Sequence, residues 1–259
     1  MKQLNSTALK VDQDRLQILD QTRLPLEEVW LEISDPDEMI AAIRRLSVRG
    51  APLISIAACA SLALYAEELE ASGISREDFL SNINETAERL RESRPTAVNL
   101  MLALDRMVFR AHAESLSAAH LTRTAEATFE EDVVLCENIA KHGHELIQDG
   151  DSVLTHCNTG GLGTTGIGTA IGVIRRAHEV GKKIHVYVDE TRPLLQGGRL
   201  TTWELERAGV PYTLICDNMA AGLMRDGKIQ RAIVGADRVA LNGDFANKVG
   251  TYNVAVICR

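Results

Sequence analysis

Residues 152–168 read SVLTHCNTGGLGTTGIG, an apolar run of strand length that passes into a glycine-rich loop and then into a helical segment predicted over 164–180. The rhythm returns downstream: IHVYVDE (184–190), YTLIC (212–216) and AIVGAD (232–237) are further strand candidates, separated by helical stretches near 199–208 and 218–225. Strands alternating with helices are the signature of βαβ units, so the second half of the chain is expected to form a Rossmann-like parallel sheet covered by helices. In an open parallel sheet, ligands gather where the carboxyl ends of the strands meet helix N-termini. The polar residues at those ends are Cys157, Asp189 with Glu190, Asp217 and Asp237.

The loop itself admits several readings. Gly161, Gly163 and Gly166 have G-x-G-x-x-G spacing, and Asp189 follows at the distance of a ribose-binding acid, as in a dinucleotide site. Against this, Cys157-Asn158-Thr159-Gly160 intervene where a dinucleotide loop turns almost directly into its first glycine. Glycines that only allow close packing are a second reading. A third is an anion cradle at Thr159, Gly160 and Gly161, since small residues opening a helix present backbone N–H groups. No Gly-Lys-Ser/Thr follows, which excludes a nucleoside-triphosphatase loop.

Cys157 is either a small buried hydrophobe or, at a strand end facing a helix, a thiolate. Cys59, Cys136, Cys216 and Cys258 read as buried hydrophobes. Asp237 is either a surface carboxylate beside Arg238 or a partly buried acid of raised pKa able to give and take a proton. Glu190 reads as a loop brace. Candidate phosphate partners are Arg49 at the RGAP helix start, Arg94 before Pro95, and Lys248 in NKVGT.

Upstream, LQIL and VWLEI are strand-like. Asp35-Pro36 with Glu38 begins a helix reaching Arg45, and Pro52 begins a buried apolar helix to about Glu70. Gly73 ends it, Ser75 with Asp78 caps another, Pro95 starts a third, and a long helix is predicted over 124–147. These patterns divide the chain into a mainly helical domain with a short strand pair (1–124) and the α/β domain (125–259).

Acidic residues outnumber basic ones, 36 to 28 among 259, for a net charge of -8, so nucleic acid and anionic membrane surfaces are unexpected partners. The five cysteines show no pairing pattern and the seven histidines no metal-ligand spacing, so neither disulfides nor a metal are expected. The apolar run from Leu53 to Ala66 is short for a membrane span and the N-terminus lacks an apolar signal core, which points to the cytoplasm.

Five motifs, RGAP (49–52), SRPTAVNL (93–100), THCNTG (155–160), DETRPLLQGGRLT (189–201) and GADRVALNGDFANKVGTYNVA (235–255), resemble those of the methylthioribose-1-phosphate isomerase family. That family is related to the regulatory α, β and δ subunits of the eukaryotic translation initiation exchange factor. The resemblance implies an aldose-to-ketose isomerisation of a sugar 1-phosphate in methionine salvage, or in the related 5-deoxyribose route, without a cofactor. It places the catalytic pair on Cys157 and Asp237, and substrate binding on Arg49, Gly50, Ala51, Arg94, Gln196, Asn247 and Lys248. It also implies a homodimer. Family members continue beyond the strand expected from Asn253, so the α/β domain is expected to be incomplete here. A non-catalytic subunit of the exchange-factor type and an NAD-dependent oxidoreductase are the competing classes.

Overall fold

The computed structural model describes residues 1–113 and 117–259. The chain divides into two compact units, Met1–Val134 with Gly163–Thr165, and Leu135–Leu162 with Gly166–Arg259. The division in the long helix falls between Val134 and Leu135.

The first unit opens with a four-stranded antiparallel sheet, β1 (Leu4–Asn5), β2 (Leu9–Asp12), β3 (Arg15–Leu19) and β4 (Trp30–Ile33), in sequential order. The sequence suggested only a strand pair. The two additional strands are short and interleaved with polar residues, and they become visible only through pairing: Leu9 opposite Ile18 and Val11 opposite Leu16 put four buried side chains on one face. Helix α1 (Pro36–Arg44) starts as expected, with the Asp35 carboxylate accepting from the Glu38 N–H at 2.9 Å.

Helix α2 (Ala51–Ala71) is the core of this unit, with Leu53, Ile54, Ile56 and Leu62 fully enclosed. Its 21 residues match the span expected from Pro52 to about Glu70; it is long and apolar enough by composition to cross a membrane, yet two-thirds of its most apolar window is buried inside the protein. Helix α3 (Arg76–Glu92) carries the Ser75 cap. Helix α4 (Val98–Ala113) begins three residues later than Pro95 indicated, because the Ala97 N–H first closes a turn on the Arg94 carbonyl. Helix α5 (Ala118–Gly143) begins six residues before the expected 124 and tightens into a 3₁₀ turn at His144–Leu146.

The second unit contains the parallel sheet. Its strands are β5 (Ser152–His156), β6 (His185–Asp189), β7 (Tyr212–Ile215) and β8 (Arg231–Ala232), hydrogen-bonded in the order β7-β6-β5-β8. Helices α6 (Ala170–Glu179), α7 (Thr202–Arg207) and α8 (Ala220–Arg225) alternate with them. Val153 packs with Ile171, Ile174 and Leu205 on one face, while Leu154 packs with Ile215, Ala220 and Val254 on the other. Both faces are therefore covered, as the continuous apolarity of the strands requires.

Three elements differ from expectation. Of AIVGAD only Ala232 joins the sheet, in the two-residue strand Arg231–Ala232, after which β9 (Arg238–Val239) pairs with β10 (Phe245–Ala246) in a separate antiparallel hairpin. Helix α6 begins at Ala170 instead of 164, since Gly160 and Gly168 bridge and close the intervening loop on itself. The strand expected from Asn253 is instead helix α9 (Thr251–Ile257). Its buried residues, Thr251 and Val254, are spaced i, i+3 and seat one face of the segment.

Candidate active site

Strand β5 ends at His156, and Cys157 then takes φ +70°, the left-handed region that costs a non-glycine residue on the order of 1–3 kcal/mol. The surroundings hold it there. The Thr201 hydroxyl donates to the Cys157 carbonyl at 2.6 Å, and Thr201 lies in a π-helical turn, Gly197–Thr201, that leads into α7. Asn158 Nδ2 donates to Glu204 at 2.8 Å. The half-buried Cys157 is a free thiol.

Glu204 changes the reading of the glycine loop. Its carboxylate, 5% exposed, accepts from Gly161 N–H at 2.8 Å and Leu162 N–H at 3.2 Å. Gly161 is thereby removed from the anion cradle suggested with Thr159 and Gly160, since its N–H is engaged and a buried carboxylate faces the loop. A dinucleotide pyrophosphate would have to displace that carboxylate, so the G-x-G-x-x-G spacing serves packing. Gly163–Thr165 belong to the first unit, where the Gly163 carbonyl accepts from Leu53 N–H and Thr165 N–H donates to Asp132 at 2.6 Å.

Beside β5, the parallel register sets His156 opposite Asp189, and His156 Nδ1 lies 2.6 Å from Asp189 Oδ2. His156 Nε2 lies 2.9 Å from the Val249 carbonyl. A carbonyl only accepts, so Nε2 carries a hydrogen, and the short contact at Nδ1 needs one further proton shared with the carboxyl. Burial pushes Asp189 above the ordinary carboxylate range, with the His156 hydrogen bond opposing it. Asp189 is 1% exposed, and its Oδ1 has no hydrogen-bond partner among the described residues.

The half-buried Asn247 and Lys248 precede Val249, and Asn247 Nδ2 donates to the Thr251 hydroxyl at 3.0 Å. Gln196 is buried and accepts from the Thr191 hydroxyl at 2.9 Å. Glu190 braces the same loop through Thr191 N–H and Gly198 N–H.

Asp237 is exposed, the surface position of its two readings and not the partly buried one, because the chain leaves the sheet after Ala232 and Asp237 enters the hairpin, its N–H on the Ala246 carbonyl at 2.8 Å. The segment before it approaches the Cys157 loop closely: a Cβ on Gly235 would stand 2.3 Å from Thr159 Cγ2. An open cleft of about 610 Å³ in this unit is lined by His156, Glu190, Thr191, Arg192, Val249 and Gly250 among others. Neither Cys157 nor Asp237 lines it.

The remaining site candidates are in the first unit. Gly50 is the N-cap of α2 and Ala51 its first residue. Arg49 is buried, with Nε donating to Gln21 at 2.8 Å, and Arg94 Nη1 is buried without a hydrogen-bond partner among the described residues. Of the other cysteines, Cys59 and Cys136 are buried as read, and burial pushes the Cys59 thiol up to about 12. Cys216 and Cys258 are exposed instead, one just past the edge strand β7 and the other at the end of α9.

The residues that sequence reasoning passed over are His156, Thr201 and Glu204. Only His156 left a signal, as the last residue of a predicted strand beside one ending in Asp189.

The family model for the Initiation factor 2 subunit family matches residues 47–259. Methylthioribose-1-phosphate isomerase of Serratia proteamaculans is 52% identical over 259 residues, covering 100% of this chain and 73% of that protein. The chain belongs to the methylthioribose-1-phosphate isomerase family. The solved structure of 5-methylthioribose 1-phosphate isomerase from Pyrococcus horikoshii has a TM-score of 0.89 at 39% identity, over 99% of this chain and 72% of that one. A structure described as translation initiation factor eIF-2B, subunit delta, from A. fulgidus gives 0.84 at 39% identity, over 98% of this chain and 74% of that one. Methylthioribose-1-phosphate isomerase folds thus share their architecture with initiation-factor subunits, and the distinction between the two classes has to come from the chemistry of the site.

Proposed function

We propose that the chain is an aldose-ketose isomerase that converts 5-methylthioribose 1-phosphate to 5-methylthioribulose 1-phosphate in methionine salvage. The observation that carries this reading is Cys157: a non-glycine residue at φ +70° at the carboxyl end of a central parallel strand, its carbonyl pinned by Thr201. Strain of this kind persists where the fold over-determines a functional position. Family membership supplies the substrate class.

A sugar phosphorylated at its anomeric oxygen is locked in the ring form, so the ring oxygen must be protonated as its bond to C1 breaks. The C2 hydrogen then passes to C1, and the C2 hydroxyl releases a proton as the ketone forms. One proton is taken up and one released, which a single carboxyl can do in turn. We assign that role to Asp237, a general acid-base contribution of about 10²–10⁴. Cys157 either receives the C2 hydrogen as a proton on its thiolate or stabilises its passage as hydride. Solvent deuterium at C1 of the product marks the proton route, and its absence the hydride route.

Arg49, Gly50, Ala51, Arg94, Gln196, Asn247 and Lys248 are the proposed substrate-binding residues. Arg94 Nη1, which has no hydrogen-bond partner among the described residues, and the N-terminus of α2 are the groups best suited to phosphate. The free cysteines support work in the reducing cytoplasm.

Likeness to the A. fulgidus eIF-2B delta structure favours a second reading, a non-catalytic regulatory subunit of the exchange-factor type that binds a sugar phosphate or nucleotide. Turnover of 5-methylthioribose 1-phosphate separates the two. Wild type is expected to turn over and Cys157→Ala to lose at least about 10²-fold in kcat while still binding substrate. Binding without turnover in the wild type refutes the isomerase.

A further inference from the structure

The mechanism above has no role for the buried pair His156 and Asp189. Their place in the chain gives them one. His156 directly precedes Cys157, and its Nε2–H is bonded to the carbonyl of Val249, the residue directly after Lys248. A single imidazole therefore joins the strand that delivers the thiol to the turn that delivers Asn247 and Lys248. Two bonds of that turn, Thr251 N–H to the Lys248 carbonyl and Asn247 Nδ2 to the Thr251 hydroxyl, are internal to it and do not fix it to the sheet.

The surroundings fit a dedicated contact. Gly250 has φ +103°, and a Cβ there would stand 2.6 Å from His156 Cε1, so glycine alone lets the turn lie against the ring. At the other end of the ring, the Asp189 carboxyl at 2.6 Å from Nδ1 orients the imidazole, and the proton shared there leaves Nε2 as the donor.

We infer that His156 and Asp189 form a positioning pair that holds the Val249 carbonyl, and with it the Asn247–Thr251 turn, against the end of β5. Asp189 orients the ring, and the ring orients the turn. This rests on the assignment of Asn247 and Lys248 to substrate binding made under the proposed function.

Two polar substitutions isolate the contact. In His156→Gln the side-chain amide reaches the Val249 carbonyl; in His156→Asn it stays against Asp189 and ends short of Val249. Hydrogen exchange of the peptide covering 247–254 is measured alongside steady-state kinetics on 5-methylthioribose 1-phosphate. His156→Asn is expected to speed exchange in that peptide by about tenfold and to raise KM by about tenfold, with kcat within about threefold of wild type, the pattern of lost ground-state binding. His156→Gln is expected to restore both. Wild-type exchange and KM in His156→Asn, or a fall in kcat with KM unchanged, overturns the inference. If the wild type shows no turnover, the isomerase reading fails, while the exchange result still decides whether the pair holds the turn.

Discussion

At Cys157 the backbone conformation and the chemistry meet in one residue. The left-handed φ turns the chain away from the β5 direction at its first residue beyond the strand, and the carbonyl freed from the sheet ladder is taken by the Thr201 hydroxyl. Valine has nearly the shape of threonine and lacks the donor, so Thr201→Val leaves that carbonyl without its hydroxyl partner. We expect a loss of about 0.5–1.5 kcal/mol in stability from the missing hydrogen bond. Because the bond sets the thiol's geometry and does not touch the substrate-binding residues, kcat should fall by about tenfold with KM nearly unchanged. Urea unfolding and initial-rate kinetics on the same preparation check both, and an unaltered kcat would remove Thr201 from the account of the site.

The elements show a similar division between what is local and what is imposed from afar. Buried Glu204 sits on the short helix α7 and gathers Asn158 Nδ2, Gly161 N–H and Leu162 N–H from a loop more than forty residues earlier. In Glu204→Gln one carboxylate oxygen becomes an NH₂ that faces a donor, leaving a buried donor unsatisfied at about 1–3 kcal/mol. The expected result is a lower urea midpoint together with faster exchange at Gly161 and Leu162; full protection there would show that the loop does not depend on the carboxylate. No local pattern in TWELER reveals this role, and the contact is equally invisible from the glycine end, where the spacing suggested a phosphate cradle. By contrast, Asp35-Pro36, Ser75 and the apolar strands β5 and β6 were legible because caps and side-chain periodicity act within a few residues. Asp237 was legible as a site candidate while its environment stayed open between two readings, since the exit of the chain after Ala232 is set by tertiary pairing. The end of the chain was misread for a related reason: TYNVAVI is apolar enough for either element, and burial of Thr251 and Val254 on one face suits a helix.

The net charge of -8 adds a condition on the whole molecule. As pH falls from neutral toward the pI near 5.4, self-repulsion among the 36 acidic residues eases, so a global charge effect favours the folded state over that range. Asp20 acts in the opposite direction and further into acid. It is buried after β3, and desolvation alone would raise its pKa. The hydroxyls of Thr22 and Ser47, the Thr22 N–H and the charge of Arg45 together outweigh that and hold it below the ordinary carboxylate range. A carboxyl whose folded pKa lies below its unfolded one contributes stability that is fully present above the unfolded value, about 4, and is lost as pH falls through the folded value. Asp20→Asn should therefore lower the urea midpoint at pH 7, at a cost of about 1–3 kcal/mol for donors that lose a charged acceptor. Between pH 7 and pH 5 the gap between wild type and variant should stay constant, because both carry the same remaining charges and Asp20 is ionised throughout. Below about pH 4 the gap should close as the wild-type carboxyl takes up its proton. A gap that instead widens as pH falls would mean that the folded pKa of Asp20 lies above its unfolded one, and that its hydrogen bonds do not offset its burial.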